Sequence, residues 1–519
     1  MMKSTAELSP DRDDFAVLRG CIAALLIAAV AGCATIEAPF KSNLDSSSPA
    51  QRSCANWFAQ LDATVDRASV RDAGAYRIAG FPYLRVDRFT ASFRDQAHDD
   101  PTMFDAWIAR MRRLDAEARG YEIDNLPARS FPMAGINDHA AARVKTEMCS
   151  AELAGADLSD AQGRGLVMER ARVPDSYSNW KRVLGLYALT SIAFSKGIED
   201  WHKETLEEFR NAGMQTPPVA GVVRYAAAAT PGAADKIVSV YSDLRTDALG
   251  IPQFTERERE LLFDAYEPAF EIDTSGDYDR FGVLAWGAGL APVVDLTRLV
   301  AYKRIAFTRF YGKILTQLVY TIWFPERPRT GASDILAGKL DGVVIRVTLG
   351  ADGAPLVYDT MHPCGCYHMF FPTALVKSLP APPGREEWAF VPAVLPALHA
   401  AQRVVVRVAS RTHYVTGIHA DSADGGIAYR LVDDNDLRAL PAAEQATRSA
   451  FGPDGIVPGT ERGERYVFWP MGIDNPGAMR QWGTHATAFI GRRHFDDADL
   501  IERRFEPVDG AHVTAERPQ

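Results

Sequence analysis

The chain has 519 residues, 47% of them hydrophobic and 24% charged, with a formal net charge of −10. Length and composition fit a globular protein with room for two or three packed domains, and they exclude the disordered and fibrous classes. The absence of a basic footprint or a block of like charge argues against nucleic acid as a partner.

In chain order, the first feature is an apolar run, Cys21–Val30, preceded by Arg19 and closed by Ala31-Gly32-Cys33. The run is about half the length needed to span hydrocarbon, and its flanks are those of an export signal rather than of an uncleaved anchor helix. Val30-Ala31-Gly32-Cys33 is similar to the lipobox of bacterial lipoproteins. That resemblance implies a signal peptide over 1–32, lipidation of the Cys33 thiol and several acyl chains holding the protein to a membrane. Ala34 stands where inner-membrane lipoproteins commonly carry Asp, which implies the periplasmic face of the outer membrane. Cleavage removes three cations (Lys3, Arg12, Arg19) and four anions (Glu7, Asp11, Asp13, Asp14), leaving a mature net charge of −9. Four cysteines remain beyond Cys33: Cys54, Cys149, Cys364 and Cys366. An even number in an oxidising compartment invites pairing.

Residues 33–53 are polar and Ser-rich, a flexible tether. A mainly helical region follows over 54–267. Trp57, Leu61 and Val65 recur at helical spacing, as do Phe104, Trp107, Ile108 and Met111. Cys54 and Cys149 each fall in such a pattern, and a disulfide between the two helices is the preferred reading over two separate buried thiols. Gly80 and Pro82 break the pattern and predict an extended segment or turn across 78–89. The aromatic residues from Tyr177 to Phe209 predict the apolar face of packed helices, with an exposed aromatic surface as the alternative. Thr255 and Glu258 form a capping box for a helix running to Tyr266.

From 268 to 507 the chain turns β-rich. Arg304–Phe324 predicts a hairpin turning at Gly312-Lys313 in preference to one long helix, and Gly342–Tyr358 a second hairpin about Gly350–Gly353. Further strands are expected at 403–410, 413–418, 426–432, 465–469 and 485–490. Residues 508–519 read as a tail. The fold class is therefore α+β, a helical half followed by a mainly antiparallel half.

The chemistry concentrates at His362-Pro363-Cys364-Gly365-Cys366-Tyr367-His368. Eight of the 11 histidines lie at or beyond position 362: His362, His368, His399, His413, His419, His485, His494 and His512. Thiolate and imidazole are the ligands of zinc and copper. His362, Cys364, Cys366 and His368 share one parity along the chain, so alternate residues would present a common side and a bend at Pro363 and Gly365 would let them converge, with His413 and His485 or His494 adjoining. Three readings stay open here: a metal site, a Cys364–Cys366 disulfide with structural or redox purpose, and plain packing of small thiols and hydrogen-bonded histidines. A second polar cluster runs from Arg480 through His485 to Arg492, Arg493, His494, Asp496 and Asp497, either an acid–base pair or surface ion pairs. Glu326, Arg327 and Asp341 read first as solvated turn residues. No Gly-x-Ser-x-Gly, His-Glu-x-x-His, phosphate-loop, dinucleotide or haem-attachment motif occurs.

The body of the chain resembles proteobacterial lipoproteins of no assigned activity, through Trp323-Phe-Pro-Glu-Arg-Pro328, Cys364-Gly-Cys-Tyr-His368 and Trp482-Gly-Thr-His485. Two functional classes follow from the sequence. One is a metal-dependent hydrolase or metal handler, its zinc or copper held by the Cys/His set and able to activate water. The other is a non-catalytic envelope scaffold or binding protein with an envelope protein as partner, in which Cys-x-Cys is a structural or redox disulfide.

Overall fold

A computed structural model describes residues 48–212, 221–226, 233–398, 402–422, 425–442 and 445–508. The signal peptide, Cys33, most of the tether, His399, His512 and the tail beyond 508 lie outside the described residues. The architecture is α+β, with helices mostly in the N-terminal half and mainly antiparallel strands in the C-terminal half.

The helical half is built on α1 (Pro49–Ala68), α2 (Pro101–Asp124) and α3 (His139–Asp157). Each starts at a side-chain cap: the Ser48/Gln51 capping box, Asp100 before Pro101, and Asp138 accepting from the Ala141 N–H. α1 buries Trp57, Phe58, Leu61 and Val65 at helical spacing. Cys54 of α1 and Cys149 of α3 form the expected disulfide, Cα atoms 5.0 Å apart across a separation of 95 residues. A loop of that length corresponds to about 4–5 kcal/mol in the chain-entropy model. A hairpin of β1 (Tyr76–Ile78) and β2 (Phe81–Val86) lies against these helices, turning at Gly80 with φ +84°. Arg85 of β2 is fully buried and pairs with Asp115 at 3.2 Å and Glu122 at 2.7 Å. From the far half, Arg438 reaches Asp72 at 2.8 Å and joins this buried network. Among the further helices of this half are α4 (Asn179–Leu184) and α5 (Tyr187–Ala212).

The change of composition near 268 is not a clean boundary. Strand β3 (Val222–Tyr225) precedes it, yet pairs with β4 (Ala269–Asp273), which follows the capped helix α6 (Glu256–Tyr266). The hairpin of β5 (Val300–Phe310) and β6 (Lys313–Arg327) turns at Tyr311-Gly312, one residue earlier than expected. Both turn residues have positive φ, +49° and +79°, the twist a two-residue hairpin requires. β7 (Gly338–Leu349), β8 (Pro355–Met361) and β9 (Met369–Pro372) follow, then β10 (Gln402–Val408), β11 (Val415–Ser422) and β12 (Arg430–Asp433). A six-stranded sheet has the order β9-β8-β7-β6-β5-β12, and a four-stranded sheet the order β11-β10-β4-β3. Alternate residues of β6 and β7 (Tyr320, Ile322, Phe324; Val343, Ile345, Val347) pack with Phe270 and Ile272 of β4 and with Val404, Val406 and Val408 of β10. The two sheets therefore share one core.

Two expected strands are absent. Residues 465–469 lie instead in a helical turn, α7 (Glu464–Val467), running into a 3₁₀ turn at Trp469–Met471. Their strand-forming side chains meet no open sheet edge, and the Phe468 N–H bonds locally to the Glu464 carbonyl at 2.8 Å. Residues 485–490 form irregular coil, clamped by the Tyr177 hydroxyl against the carbonyls of Ala488 and Arg493 at 2.8 and 2.9 Å. No helix of the described residues is long and apolar enough to cross a membrane.

Candidate functional site

The Cys/His segment is the connection between β8 and β9, and it is a tight turn. The His362 N–H donates to the Cys366 carbonyl at 3.0 Å, and the Gly365 N–H to the His362 carbonyl at 2.8 Å. Gly365 is required here: its φ is +91°, and a Cβ would stand 2.3 Å from the Ala486 carbonyl oxygen. On the other side the Arg480 N–H holds the Pro363 carbonyl at 3.0 Å. Because the run curls rather than extends, the shared parity of residues 362, 364, 366 and 368 does not place their side chains together.

The six expected ligands are spread over four places. His362 and His413 meet at Asp341, a fully buried carboxylate whose two oxygens lie 3.0 and 3.1 Å from their Nδ1 atoms. His413 continues to the Tyr278 carbonyl at 3.1 Å and to Asp279 at 3.5 Å, and stacks on Phe324. Burial works against its charge, but hydrogen bonds to Asp279 and Asp341 outweigh burial and raise its pKa. Burial holds His362 low, and its Nε2 finds no partner among the described residues. His368 binds Asp359 through Nε2 at 2.8 Å, and Asp359 is gripped by Arg346 at 2.9 and 2.6 Å. Burial pushes His368 down to about 3, so it is a neutral ring, with Nδ1 unpartnered. His485 is buried beside the Pro363 backbone, and burial followed by the charge of Arg480 lowers it to about 3.

Cys364 and Cys366 do come together, as free thiols. The Cys366 N–H donates to the Cys364 sulfur at 3.4 Å. A hydrogen bond to Cys364, and burial after it, push the Cys366 thiol well above its ordinary range. The buried guanidiniums of Arg462 and Arg480 supply positive charge beside the two sulfurs.

Both thiols open onto a cavity of about 480 Å³. Phe194, Ile198 and Trp201 of α5 form one wall, Trp388, Phe390 and Phe489 add apolar surface, and Cys364, Cys366, His368 and Glu464 carry the polar chemistry. A mainly apolar pocket with a few convergent polar groups is the usual form of a small-molecule or peptide-segment site. No protein-family model matches the chain, and no curated protein or solved structure does.

Glu464, on the wall of this cavity, titrates near neutrality. Burial raises its carboxyl from 4.5 to about 7, against the opposing charges of Arg462 and Arg327. The folded state therefore favours the protonated form. The stability this contributes is complete below pH 4.5 and is lost as the pH rises through about 7. A difference of this size corresponds to about 3 kcal/mol. Glu464→Gln should accordingly match the wild type near pH 5 and exceed its stability by about 3 kcal/mol near pH 8. Urea denaturation at the two pH values measures the gap; equal pH slopes in both proteins would show that no buried carboxylate forms there.

Among the described residues, Glu271, His419 and Asp421 are the one set of three or more ligand-type side chains with donor atoms all within 4.8 Å of one another. Arg224 already bridges the two carboxylates, at 3.0 Å from Glu271 and 2.8 Å from Asp421. Of the second polar cluster, His494 faces Asp175 at 3.5 Å and Asp497 at 3.3 Å, and Arg493 turns inward to the Thr487 hydroxyl at 3.0 Å. Glu326 is exposed, but Asp341 and Arg327 are buried, contrary to the expectation of solvated turns.

Proposed function

We propose that the protein is an envelope lipoprotein whose Cys364–Cys366 pair is a redox-active dithiol, acting on a disulfide-bearing substrate held in the apolar cavity. The observation that carries this reading is the contact of two free thiols on the cavity wall. Cys364 is the attacking thiolate. It forms a bond to one sulfur of the substrate disulfide, whose S–S bond breaks, and the departing thiolate takes up a proton. Cys366 then gives its proton to the ionised fraction of Glu464, whose carboxyl titrates at about 7, and attacks the Cys364 sulfur. The mixed disulfide breaks and the second substrate thiolate leaves. The substrate is reduced to two thiols, and the protein is oxidised to a Cys364–Cys366 disulfide. A ring closed by so few atoms departs from relaxed disulfide geometry and is readily reduced again, so the site could run in either direction. The resemblance of Val30-Ala31-Gly32-Cys33 to a lipobox supports a site on the periplasmic face of the outer membrane, a compartment where disulfides form and persist.

A second reading keeps zinc or copper. Three of the six expected ligands, Cys364, Cys366 and His368, share this cavity wall, and His368 Nδ1 is unpartnered. A metal handler would use those three after a rearrangement of the turn.

An aromatic disulfide reagent separates the two. Added to the reduced, metal-free full chain, it should release two equivalents of aromatic thiol and leave the 362–368 peptide lighter by two hydrogens, without adduct. Independent labelling of each thiol, or unreactive thiols in the folded chain, would count against the dithiol. Stoichiometric metal that blocks the reaction would favour the metal reading.

A further inference from the structure

A second cavity, of about 980 Å³, opens at the seam between the helical and the β-rich halves and has about twice the volume of the dithiol cavity. The end of α1 and the 127–134 loop form one side, and the 442–458 segment forms much of the other. Arginines line it from three separate segments: Arg67 from the last turn of α1, Arg129 from the 3₁₀ turn Ala128–Ser130, and Arg448 from the strand Gln445–Arg448. No carboxylate stands among the described lining residues, although the chain carries a net charge of −10. Thr64, Ser130 and Ser449 add hydroxyls to the lining.

These charges are uncompensated. Among the described residues none of the three guanidiniums forms an ion pair or donates a hydrogen bond. Arg448 lies instead over the Trp286 ring, 5.4 Å from its centroid, a contact that leaves the edge of the guanidinium free to donate. The acidic residues close by in the chain are committed elsewhere: Asp62 and Asp66 to Arg77 at 3.3 and 3.4 Å, Asp124 to Arg143, and Asp454 to the Ile456 N–H at 3.1 Å. Elsewhere in the fold, Arg85, Arg346 and Arg438 are each tied to a carboxylate. The helix dipole accounts for a cation at Arg67, in the last turn of α1, but not for Arg129 or Arg448. Unpaired guanidiniums around one concave, hydroxyl-lined space attract anions, and their forked N–H groups match carboxylate and phosphate oxygens. We propose that this cleft binds a small polyanion, a ligand with two or more carboxylate or phosphate groups, which Arg67 and Arg129 hold from the helical half and Arg448 from the β-rich half. The inference does not depend on the dithiol chemistry.

The test is calorimetric titration of the full chain with citrate and with inorganic triphosphate at low ionic strength, where screening is weak. At least one of the two should bind once per chain with a Kd below about 100 μM, and should raise the melting temperature. Arg67 and Arg129 are exposed, so the variant Arg67→Gln/Arg129→Gln keeps its fold. It should bind about 100-fold more weakly, about tenfold for each charge-assisted hydrogen bond lost. Arg257→Gln, at an exposed cation of α6 outside the cleft, should leave the affinity within about twofold. Tighter binding of citrate would assign carboxylate groups to the ligand, and tighter binding of triphosphate would assign phosphates; either supports the site. Neither heat nor a melting shift with both anions would overturn the proposal. Binding that survives in the double variant, or that Arg257→Gln weakens equally, would overturn it as well.

Discussion

Asp341→Ala should cost about 3–5 kcal/mol of folding stability, the loss expected when one partner of a buried charge cluster is removed. The carboxylate is fully buried and is held well below the usual range; burial opposes its charge, but His362 and Arg462 outweigh it. It accepts from the Gly342 N–H at 2.9 Å, lies 3.0 Å from His362 and 3.1 Å from His413, and stands 3.6 Å from Arg462. Alanine would leave the buried Arg462 without this carboxylate and His413 with Asp279 as its remaining carboxylate partner. His413 carries a raised pKa, so its contribution is complete below pH 6.5 and is lost as the pH rises through the folded value; the variant should keep only the part of that dependence that Asp279 supports. Urea denaturation at pH 6 and pH 8 measures both effects. A loss of about 1 kcal/mol or less would be the behaviour of a surface pair and would contradict the buried assignment. The consequence reaches the site, because Asp341 fixes the histidine at which the dithiol turn begins.

The two cysteines should separate by role. Cys364→Ser removes the sulfur that accepts the Cys366 amide and should abolish attack on added disulfide. Cys366→Ser leaves the attacking thiolate without a resolving partner, so a mixed disulfide at Cys364 should persist. Its lifetime should lengthen from seconds to hours, about 10³-fold. The trapped adduct is read as added mass on the 362–368 peptide. Reversed behaviour of the two variants would exchange their roles, and equal behaviour would mean that the thiols act singly.

Much of the fold is legible in the chain, for local reasons. The helices carrying Cys54 and Cys149 show their period directly, the capping box at Thr255 and Glu258 marks its helix, and Gly312 flanked by strand formers marks its hairpin. The failures are equally physical. Tyr466-Val467-Phe468-Trp469 has strand composition, but it has no sheet edge to join and folds locally. Asp341 sits beside Gly342 at a charged break in an apolar run and looks like a turn. Only tertiary pairing, across 21 residues to His362 and 72 to His413, shows it to be a buried hub. The site was half visible. The concentration of Cys and His between 362 and 368 falls on the cavity wall, which both thiols and His368 line. The rule of alternating strand faces misled the geometry, because Pro363 and Gly365 curl the run. Arg346, Arg462 and Glu464 carry no sequence signal, since their partners come from distant strands.

If Cys364 and Cys366 form a reversible dithiol, their reduction potential shows it. The full chain is equilibrated in graded glutathione buffers, acid-quenched and alkylated, and the 362–368 peptide is quantified in both states. A two-electron midpoint of about −180 to −230 mV, well above the roughly −300 mV of structural disulfides, is the predicted result. A midpoint below that structural range, or a peptide that stays reduced in fully oxidised buffer, would contradict the account.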